Sequence, residues 1–301
     1  MKVALIGYGY WGKIIRRYIE RSEALQLELI YDRHPQEDKI FTNHMNHILL
    51  NNEIELVFIC TPTHTHYEYC KLCLTNHKHV FCEKPLVTDY SQAVELTRLA
   101  ESNQKILYTD YIYTVSKSIQ SMKTFKEQVG DILAIEGRIE QFGNFYRDEH
   151  VYEIIGVHLI SAILYILEGY DRITHVDFTD MVTNEAGFCN IGNIQMNIDH
   201  ISVEVHCNLL AIRKVRTLRL IGSKGMLHFD MMRSPNVELI RFEQEEHAYR
   251  MIESKQWTFD EMNNVEYAIQ ECVQFILDGN VNSNHALALE VTKVIHEGRY
   301  M

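Results

Sequence analysis

The chain has 301 residues, 46% hydrophobic and 23% charged, a composition ordinary for a globular protein in water and a length that suits about two domains. Twenty-nine Lys and Arg against 41 Asp and Glu leave a formal net charge of −12, and no basic block offsets it, so nucleic acid is not an expected partner. No apolar run approaches the ~20 residues of a membrane span, and the first strand begins at Lys2 with no signal peptide ahead of it, so no membrane association and a cytoplasmic location are expected.

Val3-Ala4-Leu5-Ile6 is a continuous apolar run, the pattern of a parallel strand buried on both faces. The glycine turn Gly7-Tyr8-Gly9-Tyr10-Trp11-Gly12 follows directly. Ile14, Ile15, Tyr18 and Ile19 then have helical spacing within Lys13 to Arg21, and Leu27 to Tyr31 returns to strand, ending at Asp32. Strand Val57 to Cys60, helix Tyr67 to Asn76, strand Lys78 to Cys82, helix Ser91 to Ser102 and strand Lys105 to Thr109 continue the alternation, which predicts a doubly wound parallel sheet. After about residue 112 the rhythm changes. A helix from Ser116 to Glu127, a strand from Ile132 to Phe142, a loop to His150 and a helix from Ile155 to Leu167 come first. Strands follow at Thr174 to Thr179, Phe188 to Met196, Ile201 to Leu210, Thr217 to Ile221 and Met226 to Asp230, and helices near Asn264 to Leu277 and Ala286 to Glu297 finish the chain. The expected fold class is α/β. Residues 1–112 form the doubly wound domain and residues 113–301 an α+β domain with a large, mostly antiparallel sheet, the last helix being placed to return to the first domain.

Seven cysteines, an odd number, argue for reduced thiols rather than a disulfide framework. His64, His66, Cys70, Cys73, His77 and His79 crowd into sixteen residues, and Cys70-x-x-Cys73 resembles half of a zinc site. The segment reads as a helix after a strand, where small cysteines pack as hydrophobes, and no second Cys/His pair follows, so no metal is expected.

In Gly7-x-Gly9-x-x-Gly12 the first glycine permits a tight turn, the second lets the backbone approach a pyrophosphate, and the third lets the helix pack closely on the strand. The helix N-terminus, with the backbone of Tyr8, Tyr10 and Trp11 around it, then offers N–H groups and a positive dipole end to phosphates. Preceded by a strand and answered about twenty residues later by Asp32, this is the fingerprint of a dinucleotide-binding Rossmann domain. Asp32 suits the adenosine ribose hydroxyls of NAD and repels a 2′-phosphate, whereas the Arg33 guanidinium suits that phosphate, so NADP stays open beside a favoured NAD.

Cys60-Thr61-Pro62-Thr63-His64-Thr65-His66, then His79-Val80-Phe81-Cys82-Glu83-Lys84-Pro85-Leu86, resemble segments of the glucose–fructose oxidoreductase, inositol dehydrogenase and rhizopine-catabolism (Gfo/Idh/MocA) family. Leu218 to Leu227 looks like the strand-turn-strand of that family's second domain, so the resemblance covers nearly the whole chain. It implies NAD(P)-dependent hydride transfer at a secondary alcohol or ketone of a sugar, cyclitol or nucleotide-sugar. Thr61, Pro62, Thr63, His66, Glu83 and Lys84 then line the cofactor, and Lys84 also touches substrate, its ammonium stabilising alkoxide character or relaying a proton.

The family's usual Asp-x-Gly-x-His arrangement reads here Ile154-Ile155-Gly156-Val157-His158, with Ser161 at a later acidic position. His158 matches as acid/base, but isoleucine carries no proton. One reading has Glu153 or Tyr152 partly replace the missing carboxylate. A second has an imine or a conjugated double bond reduced, with Tyr111, Tyr113 or Tyr146 as proton donor. A third has a catalytically idle, dinucleotide-responsive binding module. Tyr113, Tyr146, Arg147, Glu153 and His158 are the expected substrate contacts beside Lys84, Arg147 as a clamp for an anionic group. A homodimer or homotetramer through the open face of the second sheet is expected, as the resemblance implies.

Overall fold

The structure is a computed structural model and describes residues 1–300 apart from 144–147, 169–171, 247, 262 and 281–283. The chain divides into two compact units, Met1–Ile112 with Val265–Lys293, and Tyr113–Asn264 with Val294–Met301. Residues 265–293, assigned to the second domain by the sequence pattern, therefore fold with the first.

In the first unit β1 (Lys2–Ile6), β2 (Gln26–Tyr31), β3 (Phe41–Thr42), β4 (Ile54–Ile59), β5 (His79–Cys82) and β6 (Leu107–Thr109) form a parallel sheet in the order β3-β2-β1-β4-β5-β6. Val3 to Ile6, Leu56 to Ile59 and Val80 to Cys82 are fully buried, which is why these strands read as unbroken apolar runs. Chain order reverses between β1 and β4, so the crevice where α/β sheets bind ligands opens beyond their C-terminal ends. Helix α1 (Tyr10–Arg21) buries Gly12, Ile15 and Ile19, three or four residues apart, and each isoleucine contributes about 1.5–3 kcal/mol. It begins three residues earlier than its apolar spacing suggests, because the last glycine of the turn is already helical.

α2 (Asn46–Leu49), α3 (His66–Thr75) and α4 (Tyr90–Ser102) complete the windings. Most of α7 (Asn264–Leu277) and the part of α8 (His285–Tyr300) up to Lys293 belong to this unit. Tyr108 donates to Glu271 at 2.7 Å, and Asn284 grips the β6 backbone from both sides, accepting from Thr109 N–H at 2.9 Å and donating to Thr109 O at 2.6 Å. A side-chain amide thus occupies the ladder groups that an edge strand would otherwise expose.

The second unit is built on an eight-stranded sheet. β7 (Ile132–Phe142), β8 (Ile173–Thr183), β9 (Cys189–Ile198), β10 (Ile201–Asn208), β11 (Leu210–Gly222), β12 (Gly225–Asp230), β13 (Val237–Glu245) and β14 (Ala248–Trp257) run in the order β14-β13-β12-β11-β7-β10-β9-β8. All neighbours are antiparallel except β7 with β10. Ile135, Ile139, Val203, Val205, Leu218, Leu220, Leu227 and Phe229 alternate along their strands and are buried. α5 (Lys117–Phe125) packs on β12, and α6 (Val157–Leu167) comes close enough to β7 that a Cβ on Gly137 would lie 2.9 Å from Leu159. β14 escapes the sequence reading because nearly all of it is exposed, which leaves no apolar alternation to see, and β13 has only Val237 and Leu239 buried at its start. Among the described residues no helix is long and apolar enough to cross a membrane.

Candidate active site

Residues expected at the site lie in both units. In the first, Gly7 has φ 92°, and a Cβ there would lie 2.7 Å from Cys60 O and from Thr61 Cγ2, so the glycine turn lies directly against the segment after β4. A Cβ on Gly12 would overlap Gly7 O. Gly9, the N-cap of α1, has nothing within 4 Å of where a Cβ would stand and supplies no side-chain cap. No acidic residue occupies the first turn of the helix. An uncapped N-terminus beside open space at the point where chain order reverses fits the pyrophosphate of a dinucleotide. Tyr8, Tyr10 and Trp11 lie between these glycines, with Tyr10 71% exposed.

Asp32 follows β2, and backbone holds both its oxygens: Tyr8 N–H donates to Oδ2 at 2.8 Å and His34 N–H to Oδ1 at 2.9 Å. Each oxygen keeps a second lone pair for a ribose hydroxyl. Arg33 is exposed beside it. Arg16 donates to the Tyr8 hydroxyl at 3.0 Å and lies over its ring, which fixes the side chain next to Asp32.

After β4, the Thr65 hydroxyl is 2.7 Å from both Thr61 Oγ1 and Pro62 O, which tightens the turn through Thr63. His66 is 1% exposed, and its ring spans two loops, Nδ1 facing Pro85 O and Nε2 facing Thr61 O, each at 2.9 Å. Expected as a cofactor contact, it ties the loop after β4 to the loop after β5 through backbone carbonyls. The Lys84–Pro85 peptide is cis. Glu83 is 6% exposed and pushed up to about 7 by burial, and Lys84 beside it is half-buried. Gly7, Thr61, His66, Glu83 and Lys84 therefore gather at adjoining strand ends.

In the second unit a π-helical turn, Tyr152–Gly156, leads into α6 and places His158 in that helix's first turn. Such turns recur at functional sites. The His158 ring stacks on Tyr113, centroids 5.3 Å apart. Tyr113 is 2% exposed, and its hydroxyl faces Met231 Sδ at 3.9 Å. Arg216, itself buried, donates to Glu140 O at 2.7 Å, to Val215 O at 2.8 Å and to the Gln141 side chain. Tyr113, an expected substrate contact, lies against the His158 ring. Arg216 gives no sequence signal, since a lone arginine in a strand reads as surface charge.

Glu153 is buried, and its carboxylate accepts from His150 N–H at 2.6 Å. Burial pushes it up to about 7. Around it, Arg299 lies against His150 Nε2, and Tyr152 donates to Asp180 at 2.9 Å. Ile154 is 6% exposed, and the Ser161 hydroxyl donates to His158 O at 3.0 Å. Tyr146 and Arg147 lie outside the described residues. Cys70 and Cys73 are buried free thiols, and among the described residues no group of three or more His, Cys, Asp and Glu is placed to hold a metal ion.

Residues 1–111 match the model of an oxidoreductase family with an NAD-binding Rossmann fold. Over 204 residues the chain is 24% identical to glucose-6-phosphate 3-dehydrogenase of Bacillus subtilis, covering 61% of this chain and 58% of that protein. UDP-N-acetylglucosamine 3-dehydrogenase of Acidithiobacillus ferrooxidans has the same fold, with TM-score 0.83 at 17% identity over 99% of this chain and 96% of that one. So does a 3-ketoreductase of Actinomadura kijaniata in complex with TDP-benzene and NADP, with TM-score 0.82 at 16% identity over 100% and 97% of the two chains. Matches to curated relatives span between 18% and 58% of their lengths. The match of residues 1–111 is to the Gfo/Idh/MocA oxidoreductase family.

Proposed function

We propose that the chain is an NAD(P)-dependent oxidoreductase acting on a hydroxyl or keto carbon of a sugar-like metabolite. The observation that carries this reading is the uncapped N-terminus of α1 beside open space at Gly9, with Asp32 on one neighbouring strand end and Lys84 on another. When bound, the dinucleotide supplies the hydride donor or acceptor. The residues handle orientation and protons. Gly7, Gly9 and Gly12 hold the pyrophosphate on backbone, with Thr61, Pro62 and Thr63 alongside, and Asp32 accepts from the ribose, favouring NAD over NADP. Lys84 donates to the substrate oxygen, and His158, held by Tyr113, takes or returns the proton. Two relatives are named as 3-dehydrogenases and one as a 3-ketoreductase, which supports a sugar 3-hydroxyl or 3-keto group as the reacting centre.

The test follows nicotinamide absorbance over nucleotide-sugars, sugar phosphates, cyclitols and imines, with NAD and NADP titrated separately. Turnover of a sugar derivative with NAD is the expected result. Ile154, buried where the family places a carboxylate, favours a second reading, a dinucleotide-responsive binding module. Tight dinucleotide binding by calorimetry with no turnover on any class would establish that module instead.

A further inference from the structure

Asp110 has no part in the proposed reaction, yet it is a charged residue only 2% exposed. It follows β6 as Glu83 follows β5, and the last paired rung of these strands is Cys82 with Thr109, so Glu83 and Asp110 are register neighbours. Backbone continues the alignment: Asp110 N–H donates to Cys82 O at 2.8 Å, and Glu83 N–H to Ile59 O at 2.9 Å. Equivalent positions on adjacent strands lie about 4.8 Å apart and direct side chains to one face. Glu83 Oε1 and Asp110 Oδ1 are both buried without a hydrogen-bond partner among the described residues. Two ionised carboxylates offer each other only acceptors, and a proton on one turns it into a donor. With Lys84 beside them, a single proton is also the count at which the trio is electrically neutral.

We propose that Glu83 and Asp110 hold one proton between them, with Asp110 as the positioning residue that leaves a single negative charge facing the Lys84 ammonium. The other groups around the pair are Cys60 after β4, Cys82 on β5, Tyr108 on β6 and Cys272 on α7. Burial pushes all four up, so they stay protonated, and Glu271 is reached through the Tyr108 hydroxyl. Burial also pushes up both carboxyls, each further raised or opposed by its neighbours: Glu83 raises Asp110, and Lys84 favours ionisation of both. The consequence for Lys84 chemistry rests on the redox role proposed above. The proton count does not.

The experiment is denaturant unfolding between pH 5 and 8 of the chain without dinucleotide or substrate, so it stands whatever the enzyme assay gives. Folded-state values raised above the unfolded ones make the pair's contribution complete at acid pH and lost as pH rises, with a slope of about one proton. Asp110→Asn and Glu83→Gln should each abolish that slope relative to wild type, and the double variant should match the singles. Slopes unchanged in the single variants overturn the proposal. A double variant that loses a further proton overturns the sharing, because each carboxyl then carries its own. Lys84→Met should move the proton's release to higher pH, and an unmoved release removes Lys84 from the set. If Asp110→Asn does not fold, Glu83→Gln reads the same proton.

Discussion

At Gly7, Gly9 and Gly12 the first unit has dispensed with side chains so that backbone can reach a ligand, whereas at His158 the second unit stacks one side chain behind another. Tyr113 lies against the His158 ring, and its hydroxyl faces Met231 Sδ. A backbone site depends on short stretches of sequence and on absent atoms. A layered side-chain site draws on residues 113, 158 and 231, which the fold must bring together, and each layer can be lost separately. The first design should therefore fail abruptly under substitution and the second by degrees.

Four substitutions sharpen or break that contrast. Lys84→Ala should lower turnover about 1,000-fold with the dinucleotide dissociation constant within about threefold, measured by absorbance and calorimetry. Equal turnover would detach the first unit's strand end from the chemistry. Gly12→Val places carbon into Gly7 O and should weaken dinucleotide binding about 100-fold, or about 2.7 kcal/mol, by calorimetry. Near-normal binding would show that the turn yields where abrupt failure is expected. Tyr113→Leu removes a ring but not His158, and about a tenfold fall in kcat with unchanged dinucleotide binding is expected. A loss as large as that of Lys84→Ala would erase the graded behaviour.

The smallest effect concerns Glu153. Its folded value of about 7 lies above the usual carboxylate range, so its contribution to stability is present below about pH 4.5 and lost as pH rises to about 7. His150 is pushed down to about 4 by burial and Arg299, so its contribution is present above pH 6.5 and lost as pH falls. Between about pH 4.5 and 6.5 the two slopes oppose each other. Glu153→Gln should remove one side of that balance, so its stability relative to wild type climbs with pH in urea titrations. Parallel curves would show that Glu153 titrates alike in both states.

Much of the first unit is legible because its determinants are local. The glycine turn, Asp32 and the Glu83-Lys84-Pro85 strand end are each a few residues long, and buried parallel strands announce themselves as apolar runs. Asp110 was missed because a single carboxylate after a strand carries no pattern. Its meaning depends on the β5–β6 register, which no local window contains. In the second unit the sheet strands facing α5 and α6 show alternation, but β14 does not, and Arg216 becomes buried only when β7 and β11 pair. His66 and Tyr113 are legible as residues of the site region, but the groups their rings face are not, since that depends on which way the fold turns each ring.

Asn284, which grips Thr109 across 175 positions of sequence, bears on how the molecule is made. During synthesis the strands up to β6 emerge long before the residue that closes their edge. Until the helices near the end of the chain leave the ribosome, the nascent nucleotide-binding unit presents an unguarded strand, and chaperone protection should be needed longest there.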